Sequence, residues 1–153
     1  MKNNVMRIIS VVLPIVVVAV LGSVFVNLGM DWFSSLDKPT QWIPNWVIPV
    51  VWTVIYTLCA VILLLWSNKE EIPNSTKILL IINGILNILW CLVFFILKLT
   101  FVGNIVIILN LIVGIALWIN IFIQKPAYSY WIALYPIWLS IATTLNLAMW
   151  ILN

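Results

Sequence analysis

Five long apolar runs constrain what this chain can fold into more than any other feature of its sequence. Each run is near the ~20 residues that a helix needs to cross the hydrocarbon core of a bilayer. Backbone polar groups cannot stay unpaired in lipid, so only helices or closed barrels span it. Barrel strands alternate apolar and polar residues over about ten positions, whereas these runs are continuously apolar. We therefore predict an all-α integral membrane protein, folded as a bundle of five transmembrane helices.

The composition agrees with a membrane protein, and the runs set the expected spans. Of the residues, 65% are hydrophobic and 7% are charged, whereas soluble domains average about 25% charged residues. We interpret the chain as a single domain over residues 1–153, with spans at about 8–26, 47–66, 78–97, 102–123 and 129–151. The first run is too long for the core of a signal peptide, and no small-residue cleavage motif follows it. It is therefore expected to be a retained span.

The basic residues are distributed unevenly between the two ends of the predicted spans. If successive loops alternate sides, one side carries Lys2, Arg7, Lys69, Lys77 and Lys125, and the other carries Lys38 and Lys98. Cytoplasmic loops of membrane proteins are enriched in Lys and Arg. The pattern predicts a cytoplasmic N-terminus, and we expect the protein in a bacterial cell membrane.

Several classes of site are excluded by residues that the chain lacks. It contains no His, which removes the commonest metal ligand and general base. Cys59 and Cys91 lie in apolar runs without metal-type spacing, so we predict no metal site. There is no phosphate-binding loop or nucleophile–base pair, and the net charge of +3 is spread over loops. We therefore expect neither a soluble enzyme nor binding to nucleic acid.

The connection between the first two runs, at about residues 27–46, differs from the other connections, which are short. It contains three Trp, two Pro and the charged residues Asp31, Asp37 and Lys38. Long loops in compact domains are often lids or binding loops. We predict that this segment covers the outer ends of the spans.

Aromatic and small polar residues line single faces of three predicted spans. In the third span Asn83, Asn87, Trp90 and Phe94 follow i, i+4, i+7, i+11 spacing, which is one helical face. The second span has Trp52 and Tyr56 one turn apart, and the fifth has Tyr135, Trp138, Ala142 and Asn146 on one face. Each Asn is also explained by hydrogen bonding between helices. Pro136 is expected to disturb the fifth span near Ile132.

The depth of these residues favours a shared cavity over separate helix contacts. At about 1.5 Å per residue, most of them fall in the outer half of the bilayer, beneath the Trp-rich connection. An uncharged cavity lined by indole rings suits a flat, largely apolar ligand.

Four motifs in order resemble those of one family. Residues 32–39 resemble its W-[YF]-x-x-L-x-K-P motif, and Trp52 with Tyr56 resembles its W-x-x-x-[YF] pair. The aromatic and polar faces of the third and fifth spans resemble its remaining motifs. In the connection, Gln41 stands where the family commonly has Trp. The chain is thus similar to the tryptophan-rich sensory protein family (TspO/MBR), which includes the mitochondrial translocator protein.

The resemblance implies a five-helix bundle, often a homodimer, that binds a porphyrin such as protoporphyrin IX as its ligand and requires no cofactor. Some members are linked to light- and oxygen-dependent porphyrin breakdown, in which Trp52 and Trp138 would be the catalytic residues. Without His an iron porphyrin is disfavoured, and Lys38 is expected to face the propionates. The residues expected to bind ligand are Trp32, Lys38, Pro39, Trp42, Trp52, Tyr56, Asn83, Asn87, Trp90, Phe94, Tyr135, Trp138, Ala142 and Asn146.

Two other functions stay open at the level of sequence. The chain could transport small apolar molecules or tetrapyrroles, although proton-coupled exporters usually carry a carboxylate inside the membrane and no acidic residue is expected in a span. It could also bind another membrane protein through a helix face. Ala19, Gly22 and Ser23 permit close helix contact, either within the bundle or between subunits.

Overall fold

The computed structural model describes residues 2–40 and 43–153, apart from the side chain of Lys2. Within these ranges the chain is helical and contains no strand. Five helical segments are long and apolar enough to cross a membrane. The prediction of an all-α bundle of five spans is confirmed, and the protein is an integral membrane protein.

Six α-helices and one π-helical segment build the five spans. The α-helices are α1 (Lys2–Ser35), α2 (Val47–Lys69), α3 (Asn74–Cys91), α4 (Thr100–Gln124), α5 (Pro126–Ile132) and α6 (Leu134–Leu152). The π segment, Leu92–Ile96, continues α3 without a break. The short α5 and α6 together form the fifth span, Pro126–Leu152.

Helix α1 is longer than the sequence predicts. It continues to Ser35, so the first part of the predicted connection is helical, and Asp31 and Trp32 lie on α1. Asp31 is exposed within this helix, whereas we expected it outside the spans. No residue between Asn27 and Ser35 prevents helix formation, whereas Pro39 disfavours a helical conformation at the residue before it. The connection itself therefore begins at Leu36.

The fifth span is interrupted at Ala133, three residues before Pro136. Proline lacks the N–H that would bond to the carbonyl of Ile132. The helix resumes in α6, where the backbone N–H of Ile137 donates to the carbonyl of Ala133 at 3.3 Å. The interruption lies near Ile132, as the sequence indicates.

The spans close into a ring in which α1 packs on α2 and α3, α2 on α5 and α6, and α4 on α3, α5 and α6. At the end that carries the N-terminus, Val11 and Ile15 of α1 pack against a buried cluster that includes Trp66 of α2. Towards the opposite end, α1 instead packs on the π segment, and only Gly29 and Phe33 of α1 are buried among its described side chains. The outer halves of α1 and α2 thus flank an open space.

The crossing of α1 over the π segment depends on Gly29. A Cβ atom at this position would lie 2.4 Å from the carbonyl oxygen of Phe95, so only glycine allows this approach. Beyond the π segment, Lys98 adopts a left-handed conformation with φ of 59°, which is uncommon for a residue with a side chain. This conformation turns the chain sharply into α4.

Candidate functional site

A cavity of about 430 Å³ lies between α1, α2, α3 with its π segment, and α6. This volume is within the ~300–1,000 Å³ typical of small-molecule sites. Its aromatic lining residues are Phe33, Trp52, Tyr56, Trp90, Phe94, Phe95 and Trp138. None of its described lining residues is charged. We call this space the outer cavity, because it lies in the half of the bundle that faces the α1–α2 connection.

The outer cavity brings together many, but not all, of the residues predicted from the sequence. It is lined by Trp52, Tyr56, Asn87, Trp90, Phe94, Trp138, Ala142 and Asn146. Trp32, Lys38, Pro39, Asn83 and Tyr135 do not line it, and Trp42 lies outside the described residues. The aromatic and polar faces of α2, α3 and α6 therefore line the same cavity.

Two stacked aromatic pairs form part of the wall. Trp52 and Tyr56 on α2 stack with ring centroids 5.5 Å apart and planes inclined by 25°. Trp90 and Phe94 stack with centroids 5.7 Å apart and planes inclined by 23°. Helical spacing of four residues places each pair on one face of its helix. Two walls of the cavity therefore each carry a stacked aromatic pair.

The indole of Trp138 carries a buried hydrogen-bond donor without a partner in the described part of the chain. Its Nε1 is buried and has no hydrogen-bond partner among the described residues. The indole of Trp90 differs, because its Nε1 donates to Oδ1 of Asn146 at 3.2 Å. A buried donor without a partner is destabilising by about 1–3 kcal/mol.

Four buried side chains from α3, α4 and α6 form a closed hydrogen-bond network. Asn83 donates to Asn110 at 2.7 Å, and Asn110 donates to Asn87 at 2.9 Å. Asn87 donates to the hydroxyl of Tyr135 at 3.0 Å, and this hydroxyl donates to Asn83 at 2.7 Å. Asn83 and Tyr135 thus join helices, the alternative that the sequence left open for each Asn. Asn87 belongs both to the network and to the cavity wall.

The α1–α2 connection is tied to the end of α6 above the outer cavity. The backbone N–H of Asp37 donates to Oδ1 of Asn153 at 2.9 Å, and Nδ2 of Asn153 donates to the carbonyl of Asp37 at 3.0 Å. The ammonium of Lys38 lies 5.0 Å from the ring centroid of Phe33, which lines the cavity. Its Nζ also donates to the carbonyl of Ser34 at 3.4 Å. A cation therefore stands beside the cavity wall without entering the cavity.

The TspO/MBR family model matches residues 10–151 of this chain. The chain belongs to the TspO/MBR family. Curated relatives include a "Tryptophan-rich protein TspO" of Archaeoglobus fulgidus, 27% identical over 98% of this chain and 99% of that protein. Another protein of this name, from Chlorobaculum tepidum, is 32% identical over 86% of each chain. "Protein CrtK" of Rhodobacter capsulatus is 28% identical over 80% of this chain and 78% of its own length.

In this TspO/MBR member, α1 contributes wall residues that the sequence analysis did not propose as ligand-binding. Ala19, Gly22, Ser23 and Met30 all line the outer cavity. The small residues among them were interpreted as a helix-contact surface. Gly22 has both roles, because it lines the cavity and also packs against α3, where an added Cβ would lie 3.5 Å from Sγ of Cys91. A run of small residues beside an aromatic cavity is the signal that could have identified this wall.

Proposed function

We propose that this TspO/MBR protein binds a metal-free porphyrin, or a similarly flat tetrapyrrole, in the outer cavity. The observation that carries the proposal is the uncharged space of about 430 Å³ with stacked aromatic pairs on α2 and on α3 with its π segment. Aromatic faces pack favourably on a flat conjugated ring in offset-stacked or edge-to-face arrangements. The family membership and the printed names of the relatives agree with a tryptophan-based site.

A cation beside the cavity matches the carboxylates that a porphyrin carries. Lys38, beside Phe33 in the connection, would face carboxylates that remain near the membrane surface. Since the chain has no His, the commonest axial ligand of haem iron is missing. The metal-free ligand is therefore preferred.

Titration of the detergent-purified protein with protoporphyrin IX in the dark tests the proposal through quenching of tryptophan fluorescence. We expect saturable quenching, and a dissociation constant raised about tenfold or more when Trp52→Phe and Trp138→Phe are combined, equivalent to about 1.4 kcal/mol or more. Trp150→Phe is the matched control, because Trp150 lies on α6 outside the cavity lining. Wild-type affinity in the double variant, or no saturable quenching, would refute the proposal.

Light- and oxygen-dependent breakdown of the bound porphyrin extends the same proposal. Molecular oxygen is the oxidant, and its two atoms become the carbonyl oxygens formed where a carbon–carbon double bond of the macrocycle is cleaved. Trp52 and Trp138 line the site at which this would occur. Illumination with oxygen should remove the porphyrin absorbance bands in the wild-type protein, whereas darkness, argon or the double Phe variant should preserve them.

Transport of small apolar molecules is the alternative function. No described residue of the outer cavity is acidic, so the cavity offers no carboxylate of the type that couples transport to protons. Flux of a tetrapyrrole into proteoliposomes, absent from protein-free liposomes, would favour transport over binding alone.

A further inference from the structure

The bundle contains a second, smaller cavity of about 60 Å³, bounded by α2, α3, α4 and the α5–α6 junction. We call it the inner cavity, because it lies on the side of the outer cavity nearer the α2–α3 connection. Tyr56 and Asn87 line both cavities. A space of this size exceeds the ~10–15 Å³ that one water requires, yet it is far smaller than the outer cavity. It suits a narrow group and excludes a macrocycle.

Three polar side chains on the wall of the inner cavity already have partners. Asn83, Asn87 and Tyr135 contribute polar side chains to it, and they hydrogen-bond to one another and to Asn110. The unpaired indole of Trp138 lines only the outer cavity. Most of the other lining residues are Ile or Leu, so a polar occupant would lose its own solvation with few hydrogen bonds to replace it. The lining of the inner cavity therefore favours an apolar occupant.

The edge of the inner cavity faces the surroundings of the bundle between α2 and the interruption at Ala133. Trp131 on α5 is 63% exposed, and Leu58 and Leu134 are half-buried; all three line the cavity. Around a transmembrane helix these surroundings are lipid chains. We propose that the inner cavity binds the end of an acyl chain of a bilayer lipid, which enters between α2 and the α5–α6 junction.

The deep wall of the cavity supplies a readout that lipid outside the protein cannot produce. Leu117 and Ile121 line the inner cavity and are 3% and 1% exposed. A chain that merely lies against the bundle does not reach these side chains. A chain whose end occupies the cavity contacts both of them.

Photo-crosslinking in lipid nanodiscs tests the proposal. The nanodiscs contain phosphatidylcholine with a diazirine at the terminal carbon of one acyl chain, and no porphyrin, so the result does not depend on the proposed function. After illumination, mass spectrometry should locate crosslinks at Leu117 or Ile121 on α4, in addition to exposed residues such as Leu65. A lipid with the diazirine in its headgroup should not label α4 at these positions.

Two variants at one position separate entry into the cavity from surface labelling. Cys59 lines the inner cavity, so Cys59→Leu fills part of it, and Cys59→Ser is the matched variant of conserved size. We expect crosslinks at Leu117 and Ile121 to fall about tenfold with Cys59→Leu and to persist with Cys59→Ser, while Leu65 is labelled equally in both. Leu58→Phe at the half-buried edge is a second blocking variant if Cys59→Leu does not fold.

Two results would overturn the proposal. The first is labelling of the wild-type protein confined to exposed residues. The second is labelling of Leu117 and Ile121 that is undiminished in a folded blocking variant.

Discussion

Tyr135 illustrates how single side chains hold the bundle together beside the candidate site. Its hydroxyl accepts a hydrogen bond from Asn87 on α3 and donates one to Asn83 on the same helix. The side chain is buried, and the interior of a membrane protein offers little water to replace such partners. Removing the hydroxyl therefore leaves two buried amide groups less well paired.

Tyr135→Phe is expected to destabilise the protein by about 1–3 kcal/mol, since buried polar atoms lose a partner. Thermal unfolding in detergent should show a lower midpoint. Tyr130→Phe is the control, because Tyr130 is 75% exposed on α5. Equal midpoints for Tyr135→Phe and the wild type would show that the hydroxyl does not stabilise the bundle.

Residue spacing in the sequence identifies the faces of the helices but not what each face meets. Trp52, Trp90 and Trp138 were placed on inward faces, and all three line the outer cavity. Asn83 and Tyr135 share those faces, yet they hydrogen-bond between helices beside the inner cavity, because the outer cavity ends before their depth. Trp32 lies on α1 and packs edge-on against Phe94 with ring centroids 5.5 Å apart. Whether an inward-facing residue lines the cavity or contacts another helix depends on how the helices cross, and the sequence of one helix does not determine this crossing.

Among the helices, the contact of α1 with the π segment is the most tightly constrained. An added Cβ at Gly29 would overlap backbone and side-chain atoms of Phe95 at 2.4 and 2.6 Å. Backbone cannot be displaced as readily as the end of a flexible side chain. The π segment contributes Phe94 and Phe95 to the outer cavity, so this crossing also positions part of the site.

Gly29→Ala is therefore expected to separate α1 from the π segment, lower the unfolding midpoint and weaken porphyrin binding. Gly22→Ala on the same helix is the matched control, because its Cβ would make an ordinary 3.5 Å contact with Cys91. The two variants should be compared by thermal unfolding, and the porphyrin titration applies to Gly29→Ala alone, because Gly22 lines the outer cavity. Equal effects of the two would contradict this account of the crossing.

The five spans could be predicted from the sequence because apolar length alone specifies them. The ends of α1 and of the fifth span could not. Hydropathy falls after Val26, yet packing against the π segment extends α1 to Ser35. The interruption at Ala133 reflects the effect of Pro136 on the preceding turn, which sequence locates only approximately.

At the scale of the whole molecule, charged side chains gather at the end of the bundle that carries the N-terminus. Lys77 forms an ion pair with Glu71 at 2.8 Å, and Lys125 pairs with Glu70. The hydrogen bond from Lys77 holds the pKa of the Glu71 carboxyl below its usual value. Arg7 donates to Asn68, which joins α1 to α2 at this end. The residues that set the predicted orientation thus also tie the helix ends together.

The predicted orientation, with this end cytoplasmic, can be tested with single cysteines in a variant that carries Cys59→Ser and Cys91→Ser. Thr40→Cys lies in the α1–α2 connection and Asn74→Cys lies at the start of α3, and both positions are exposed. In intact bacterial cells a membrane-impermeant maleimide should label the first and spare the second until the cells are permeabilised. The reverse pattern would place the N-terminus outside.

Few residues of α1 are buried, whereas α3, α4 and α6 are joined by buried contacts. Helices α3, α4 and α6 are joined by the buried Asn–Tyr network and by close packing at Gly103 and Gly114. Helix α1 buries only Gly29 and Phe33 among its described side chains, yet it supplies a whole wall of the outer cavity. Substitutions on the cavity face of α1, away from Gly29 and Phe33, are therefore expected to change the shape of this wall while the contacts among α3, α4 and α6 persist. The shape of the cavity and the stability of the fold then depend largely on different helices, and Gly29 is the position at which both are determined.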